Sequence, residues 1–184
     1  MILICPGIHH PALTDKFFAC LNRVVFQKIR DYNYIDVLIL PADGILPLSG
    51  LHIIEFLHQN LKTKQESPVV FISFSAGVVG AITAAHLWQL QGGRVKAFIA
   101  IDGWGVPLFG NFPIHRISHD YFTHWSSLLL GGTSKSFYAD PPVEHLQIWE
   151  NPQVVQGWLV DDYQSKQRLS ATEFLHELLG CYLI

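Results

Sequence analysis

The stretch Pro68-Val69-Val70-Phe71-Ile72-Ser73-Phe74-Ser75-Ala76-Gly77-Val78-Val79-Gly80 decides how the rest of the chain is interpreted. Its first half is apolar and rich in β-branched residues, which predicts a buried strand. The alanine- and glycine-rich part that follows, up to Gly92-Gly93, predicts a helix. A strand that leads directly into a helix is the unit from which parallel sheets are built, so the stretch favours an α/β fold.

Ser75 lies at the turn between strand and helix, and the residues two positions away on either side, Ser73 and Gly77, are both small. This S-x-S-x-G pattern differs at one glycine from the G-x-S-x-G nucleophile elbow, in which a strained turn holds a serine hydroxyl clear of the sheet. On these residues the chain resembles the α/β-hydrolase superfamily, with Ser75 in the nucleophile position. The resemblance extends over about residues 2–160. The alternative is an ordinary buried turn whose serine caps the helix.

Composition predicts one domain, residues 1–184, with a core on both sides of its sheet. Apolar residues make up 49% of the chain and charged residues only 15%. Strands buried on both faces are typical of parallel sheets covered by helices. We therefore expect a three-layer sandwich, with a mostly parallel sheet of about five to six strands and helices on both faces.

The same numbers disfavour several classes of partner. The net charge is -3 and no run of Lys or Arg is present, which argues against nucleic acid. No apolar run reaches membrane-spanning length, and the first residues lack the basic start of a signal peptide. Three cysteines without metal or redox spacing predict reduced, buried thiols and a cytoplasmic location. No G-x-G-x-x-G or Walker pattern is present, so no cofactor is expected and a flavodoxin-like phosphate binder is disfavoured.

Strands and helices are expected to alternate along the chain. Besides the elbow strand, apolar runs predict the strands Ile2–Cys5, Ile35–Leu40, Val95–Asp102 and Ser136–Ala139. Helix starts are predicted at Thr14, Ser49, Ser118, Asn151 and Ser170. The helix from Asn151 would carry Val154 to Leu159, and the helix from Ser170 would end at Gly180. The irregular, aromatic-rich residues 103–135 are interpreted as a cap or lid over the site.

A serine hydroxyl needs a base to remove its proton, and the base needs an acid to orient it. The resemblance implies a base in the loop after the last strand, and His145 follows Ser136–Ala139 by a short turn. The preferred acid is Asp102, which ends the strand after the elbow strand. The family's usual acid lies one strand later, but the sequence indicates only one strand between Asp102 and His145. Asp140 and Asp120 therefore stay open as alternatives.

The remaining site residues are assigned by chemistry and position. Backbone N–H groups of Ala76 and Ile8, with His9 as the alternative to Ile8, would stabilise a developing oxyanion. His9 and Trp104 are candidates for substrate binding. No metal site is expected. The ligand-type residues His115, His119, His124 and Asp120 have workable spacing, but the loop at Pro113 and the helix start at Ser118 are predicted to separate them.

These assignments predict a small serine hydrolase that transfers an acyl group from an ester or thioester to water, of the carboxylesterase or thioesterase type. Its partner would be a small-molecule acyl substrate. The alternative is a non-catalytic binding or scaffold protein with the same fold, since the first elbow glycine is replaced by Ser73.

Overall fold

The computed structural model describes residues 1–25, 36–41, 44–61, 68–132, 135–161 and 165–183. Within these ranges eight strands form one sheet and six α-helices pack on it. The strands are β1 Ile2–Cys5, β2 Val37–Ile39, β3 Val69–Phe74, β4 Val95–Ile101, β5 Ile114–Ser118, β6 Ser136–Ala139, β7 Gln156–Val160 and β8 Lys166–Ser170. The helices are α1 Pro11–Cys20, α2 Gly50–Asn60, α3 Gly77–Leu90, α4 Tyr121–Leu128, α5 Gln147–Glu150 and α6 Ala171–Leu183.

The sheet is mostly parallel, as the sequence predicts, but it is larger than expected. Its order is β2-β1-β3-β4-β5-β6-β7-β8, which makes eight strands among the described residues instead of five or six. The strands from β2 to β6 are parallel, and β7 pairs antiparallel with both β6 and β8. No described helix is long and apolar enough to cross a bilayer.

Both faces of the sheet are buried. Along β1, Ile2 and Ile4 join a core that includes residues of α1 and α6, whereas Leu3 and Cys5 join a second core with residues of α2 and α3. This alternation follows from the period of two in a strand. Burial on both faces explains why the central strands are almost wholly apolar, as the composition indicated.

Strand β5 was not predicted from the sequence, because three of its five residues are polar. All five are buried, including His115, Arg116 and Ser118. Buried polar groups require hydrogen-bond partners, and the imidazole of His115 bonds to the hydroxyl of Tyr182 and the carbonyl oxygen of Lys135. These partners are distant in sequence, so hydrophobic periodicity carries no signal for the strand. It lies within residues 103–135, where a cap was expected.

The helix predicted from Asn151 is wrong. Residues Gln156–Val160 form β7, which completes ladders with β6 on one side and β8 on the other. A Cβ at Gly157 would lie 2.1 Å from the carbonyl oxygen of Tyr138, so glycine lets the two strands approach closely. Pairing partners on both sides therefore outweigh the local helix signal. The edge strand β8 exposes Lys166, Gln167 and Arg168, and charged side chains on an edge strand discourage pairing with another chain.

Two predicted helix starts are confirmed. The hydroxyl of Ser49 accepts a hydrogen bond from the backbone N–H of His52 at the start of α2. Ser170 and Glu173 form the expected capping box before α6, since each side chain accepts from the other residue's backbone N–H. However, α6 continues past Gly180 to Leu183.

Two other predicted helix starts are wrong. Helix α1 starts at Pro11, where His10 is the capping residue, and Thr14 lies buried inside the helix. Ser118 ends β5, and the cap of α4 is Asp120, whose carboxylate accepts a hydrogen bond from the N–H of Thr123 at 2.6 Å. Within the predicted strand Ile35–Leu40, residue 35 lies outside the described residues.

The cysteines follow the prediction only in part. All three are free thiols; Cys5 and Cys20 are buried, but Cys181 is exposed. Cys181 lies in the part of α6 that continues beyond Gly180.

Small residues on α3 set its distance from the neighbouring elements. A Cβ at Gly80 would lie 2.2 Å from the carbonyl oxygen of Pro47, in the 3₁₀ turn Leu46–Leu48 before α2. Ala81 and Ala85 lie in the core against the sheet. Gly80 thus faces the turn before α2, whereas the two alanines face the sheet.

We expect Gly80→Ala to lower the free energy of unfolding by about 2 kcal/mol, because the added methyl group meets rigid backbone. Gly180→Ala is the matched control, since no atom lies within 4 Å of its added Cβ. It should stabilise α6 by about 0.5–1 kcal/mol. Urea denaturation of the two variants measures both effects, and equal values for them would contradict the packing described here.

Candidate active site

The candidate site lies where three adjacent parallel strands end. Ser75 is the first residue after β3, Asp102 the first after β4 and His119 the first after β5. Two hydrogen bonds keep these ends in step: the N–H of Ser75 donates to the carbonyl of Ile101 at 2.9 Å, and the N–H of Asp102 donates to the carbonyl of Ile117 at 2.8 Å. Since parallel strands end at the same edge of a sheet, three polar side chains are brought together there.

The backbone at Ser75 has the strained form expected of the turn. Its φ is 51°, in the left-handed region that few residues other than glycine adopt. Small neighbours are required here: a Cβ at Gly77 would lie 2.1 Å from the carbonyl oxygen of Pro6, and one at Gly7 would lie 3.0 Å from the Cβ of Ser75. Ser73 is accommodated because its buried hydroxyl donates to the carbonyl of Ile99 at 3.3 Å.

His145 is in hydrogen-bond contact with both predicted partners. Its Nε2 lies 2.9 Å from the Oγ of Ser75, and its Nδ1 lies 2.8 Å from Oδ2 of Asp102. Because an ionised carboxylate only accepts hydrogen bonds, we assign the proton to Nδ1, which leaves Nε2 to accept from the serine hydroxyl. The imidazole also stacks on the ring of Phe74, with centroids 4.8 Å apart, and this contact restricts its orientation.

Asp102 is the acid that the structure brings to His145. Its side chain is only 1% exposed, and its backbone φ of 50° turns the chain out of the sheet. Oδ1 accepts the backbone N–H of His119 at 2.8 Å. Burial alone would raise the pKa of this carboxyl group, but its contacts with His119 and His145 outweigh burial and lower the pKa. The carboxylate is therefore held in its charged form.

The imidazole of His119 is a second contact of the same carboxylate. Its Nδ1 lies 2.7 Å from Oδ2 of Asp102, and its Nε2 lies 3.5 Å from Oδ2 of Asp120. The Nδ1 direction is not aligned for a hydrogen bond, so the contact is mainly electrostatic. The Asp102 carboxylate raises the pKa of His119 despite partial burial, and the nearby carboxylates of Asp120 and Glu144 act in the same direction.

The other two carboxylates considered as the acid have different partners. Asp140 accepts a hydrogen bond from the indole N–H of Trp158 at 2.7 Å, and its Oδ2 lies 3.8 Å from Nη1 of Arg168. Asp120 caps α4. Neither forms a hydrogen bond with His145 among the described residues, so Asp102 is the carboxylate that meets the imidazole.

The two proposed oxyanion donors lie on loops beside Ser75. Ala76 follows Ser75 directly and lines the cavity at the site. Ile8 follows Gly7, whose backbone packs against Ser75, but its side chain is exposed. Among the described residues, neither N–H donates to another protein group. Of these two residues, Ala76 lines the cavity and Ile8 does not.

A cavity of about 530 Å³ opens above Ser75. Asp102, His119, Asp120 and His145 form its polar side. Four larger apolar side chains form another part of the wall: Val79, Trp104, Val106 and Phe122. Trp104, the candidate for substrate binding, thus lines the same cavity as Ser75. His9 does not line the cavity but packs on Phe74 and Trp149, with ring centroids 5.6 and 6.2 Å away.

His115, His119 and His124, whose spacing in the sequence resembles that of metal ligands, do not lie together in the structure. His115 and His124 bond to Tyr182 and Ser136, away from His119. A different set does converge, because one ligand-type atom each of Asp102, His119 and His145 lies within 4.8 Å of the others. The carboxylate oxygen is 2.7 and 2.8 Å from the two Nδ1 atoms. Tetrahedral ligands at about 2.0–2.1 Å from zinc would be about 3.3 Å apart, so both contacts are shorter than the spacing between two ligands of one zinc ion.

Two residues of this site, His119 and Phe74, were not predicted from the sequence. His119 was not assigned to the site because β5 was not recognised, and Phe74 was read only as a strand residue. One signal for β5 was present, since Ile114 and Ile117 follow Pro113 much as the elbow strand follows Pro68. The stacking of Phe74 on His145 depends on tertiary packing and has no local signal.

Neither models of known protein families nor curated protein sequences match this chain. Its chemistry must therefore be inferred from the contacts of Ser75, His145, Asp102 and His119.

A buried arginine fixes one wall of the cavity. Arg116 donates to the carbonyl oxygens of Gly131 at 2.8 Å and Val106 at 3.0 Å, and it also reaches those of Leu130 and Gly103. Burial lowers the pKa of its guanidinium group to about 10, which still leaves it charged at neutral pH. Arg116 thereby ties the segment that carries Trp104 and Val106 to the end of α4.

We expect Arg116→Met to lower the free energy of unfolding by about 3 kcal/mol or more, because several buried carbonyl groups lose their donor. Arg168→Met is the matched control, since Arg168 is about half exposed on β8. Its loss should change the free energy of unfolding by no more than about 0.5 kcal/mol. Chemical denaturation measures both variants, and similar small losses would show that the Arg116 contacts contribute little.

Proposed function

We propose that this protein is a serine hydrolase of the α/β-hydrolase type, which transfers an acyl group from an ester or thioester to water. One observation carries the proposal. His145 connects the hydroxyl of Ser75, at 2.9 Å, to the buried carboxylate of Asp102, at 2.8 Å. This is the order of contacts that an activated serine nucleophile needs.

In the proposed reaction, the Oγ of Ser75 attacks the acyl carbonyl carbon as Nε2 of His145 takes its proton. The tetrahedral intermediate then collapses, and the imidazolium returns the proton to the departing alcohol or thiol. A water molecule releases the acyl group from Ser75 by the same two steps. Asp102 keeps the Nδ1 proton of His145 in place and stabilises the imidazolium that forms.

Two backbone N–H groups would receive the negative charge that develops on the carbonyl oxygen. The N–H of Ala76 is adjacent to the nucleophile, and the N–H of Ile8 lies on the loop after β1 that packs against Ser75. Because neither donates to another described residue, neither must break a protein hydrogen bond to bind the oxyanion.

The position of the acid is a variation within the proposed fold. The family's usual acid would follow β5, where this chain has His119 and Asp120. Asp120 instead caps α4, and Asp102 at the end of β4 contacts His145. The carboxylate thus approaches from the strand next to the nucleophile strand, which supports the assignment of Asp102.

The cavity favours a substrate with an apolar acyl part. Trp104 and Phe122 line it and are more than half exposed, so they offer apolar surface that no described residue covers. In contrast, charged groups are confined to the floor around Asp102 and His119. An acyl chain would lie along the aromatic wall, with its carbonyl group at Ser75.

A fluorophosphonate probe should label the wild-type protein at Ser75. We expect Ser75→Ala to abolish labelling and His145→Ala to slow it by about 10³-fold or more, because the hydroxyl then has no base. Ser126→Ala is the matched control: this serine lies on α4 and bonds to Trp104 instead of a histidine. The Ser126→Ala variant should still be labelled at Ser75 at about the wild-type rate. Gel-based labelling rates and mass spectrometry of the modified peptide provide the measurement.

Labelling that persists in Ser75→Ala would remove Ser75 from the proposed role. A folded wild-type protein that reacts with neither the probe nor simple esters would favour the alternative, a non-catalytic binding protein with this fold.

Acyl chain length should affect the rate through the aromatic wall. For p-nitrophenyl esters from acetate to octanoate, we expect kcat/KM to rise about threefold per methylene group until the cavity is filled. Trp104→Ala should flatten this dependence while the rate on acetate changes little. A series in which acetate is the best substrate for the wild type would contradict the apolar acyl site.

A further inference from the structure

The imidazole of His119 has no part in the proton transfers of the proposed mechanism, although it lies in the same cavity. Residue 119 contacts the site through three groups. Its N–H donates to Oδ1 of Asp102, its Nδ1 lies 2.7 Å from Oδ2, and its carbonyl oxygen accepts the N–H of Val143 at 3.0 Å. Val143 lies in the loop that carries His145. Residue 119 therefore joins the acid to the loop of the base.

We propose that His119 is a positioning residue that shares the Asp102 carboxylate with His145 and thereby sets the pH range in which His145 accepts a proton from Ser75. This inference rests on the proposed function of Ser75 and His145. The backbone contacts of residue 119 hold the loops whichever side chain is present. The imidazole alone adds a charge that changes with pH.

The electrostatic surroundings determine the direction of the effect. The groups that face the His119 ring are the carboxylates of Asp102, Asp120 and Glu144 and the imidazole of His145, whose ring centroid is 5.9 Å away. Three carboxylates favour a proton on His119, which agrees with its raised pKa. A charged His119 offsets the Asp102 carboxylate and repels a proton on His145.

The consequence is that a charged His119 weakens the attraction of Asp102 for a proton on the neighbouring imidazole, so Ser75 should react at lower pH than it would beside Asp102 alone. If His119 is replaced by a neutral side chain, the full charge of Asp102 acts on His145. Reaction of Ser75 with the probe should then begin at higher pH.

The experiment compares fluorophosphonate labelling rates between pH 4 and 9 for the wild type, His119→Asn and His119→Phe. In His119→Asn, a polar amide group replaces the imidazole beside Asp102 but never carries charge. We expect the pH midpoint of labelling to rise by about 1 unit in both variants. His176→Asn, on α6, is the matched control and should keep the wild-type midpoint.

A lower rate at every pH with an unchanged midpoint would show that His119 acts only as a packing residue and would overturn the inference. NMR titration of the His145 ring gives the same comparison without any reaction, and in His119→Asn the ring should titrate at higher pH. If the wild type is never labelled, the proposed hydrolase function fails, and the NMR midpoints alone decide the role of His119. Equal midpoints in that measurement would likewise overturn the inference.

Discussion

The contacts of the buried Asp102 carboxylate hold the site together. One side chain, 1% exposed, is in contact with the imidazoles of His145 and His119 and with the backbone N–H of His119. These partners come from the loop after β6 and from the end of β5. A buried carboxylate without partners would be strongly destabilising, so the folded chain has to bring these segments together. Because His145 is one of these partners, the need to pair the Asp102 carboxylate also places the His145 imidazole next to Ser75.

The sheet makes this arrangement possible at little conformational cost. Ser75, Asp102 and His119 each follow directly after a strand, and β3, β4 and β5 are adjacent and parallel. Ladder hydrogen bonds that continue to Ser75 and Asp102 fix the relative heights of the strand ends. The two left-handed residues, Ser75 and Asp102, then turn the chain away from the edge, at about 1–2 kcal/mol of strain each. Packing on both faces of the sheet offsets that strain.

The surroundings of His145 assign separate tasks to different contacts. Phe74 stacks on its ring and restricts orientation, Asp102 fixes the position of its proton, and His119 changes the charge that the ring experiences. Arg116 has no contact with this ring, but it holds the segment that bears Trp104 and Val106. The proposed chemistry and the proposed substrate preference therefore depend on different parts of the chain.

The sequence by itself determined the strand, the turn and the helix around Ser75, because steric limits at the turn allow only small residues such as Ser73 and Gly77. Local apolar patterns were also sufficient to predict the strands β1, β4 and β6, because most of their own residues are apolar and are buried in the core. Position after such strands made His145 the preferred base and Asp102 the preferred acid, with Asp140 and Asp120 left open, and the structure brings Ser75, His145 and Asp102 together.

Only the tertiary structure decided the rest, because those features depend on partners distant in the chain. Strand β5 has no alternating apolar pattern, because its buried polar residues form hydrogen bonds with groups distant in the chain, such as the Tyr182 hydroxyl and the Val106 carbonyl oxygen. Strand β7 has a local helix signal that pairing with β6 and β8 overrides. The second imidazole at Asp102 depends on β5 being the neighbour of β4, and adjacency in a sheet is a property of the whole fold.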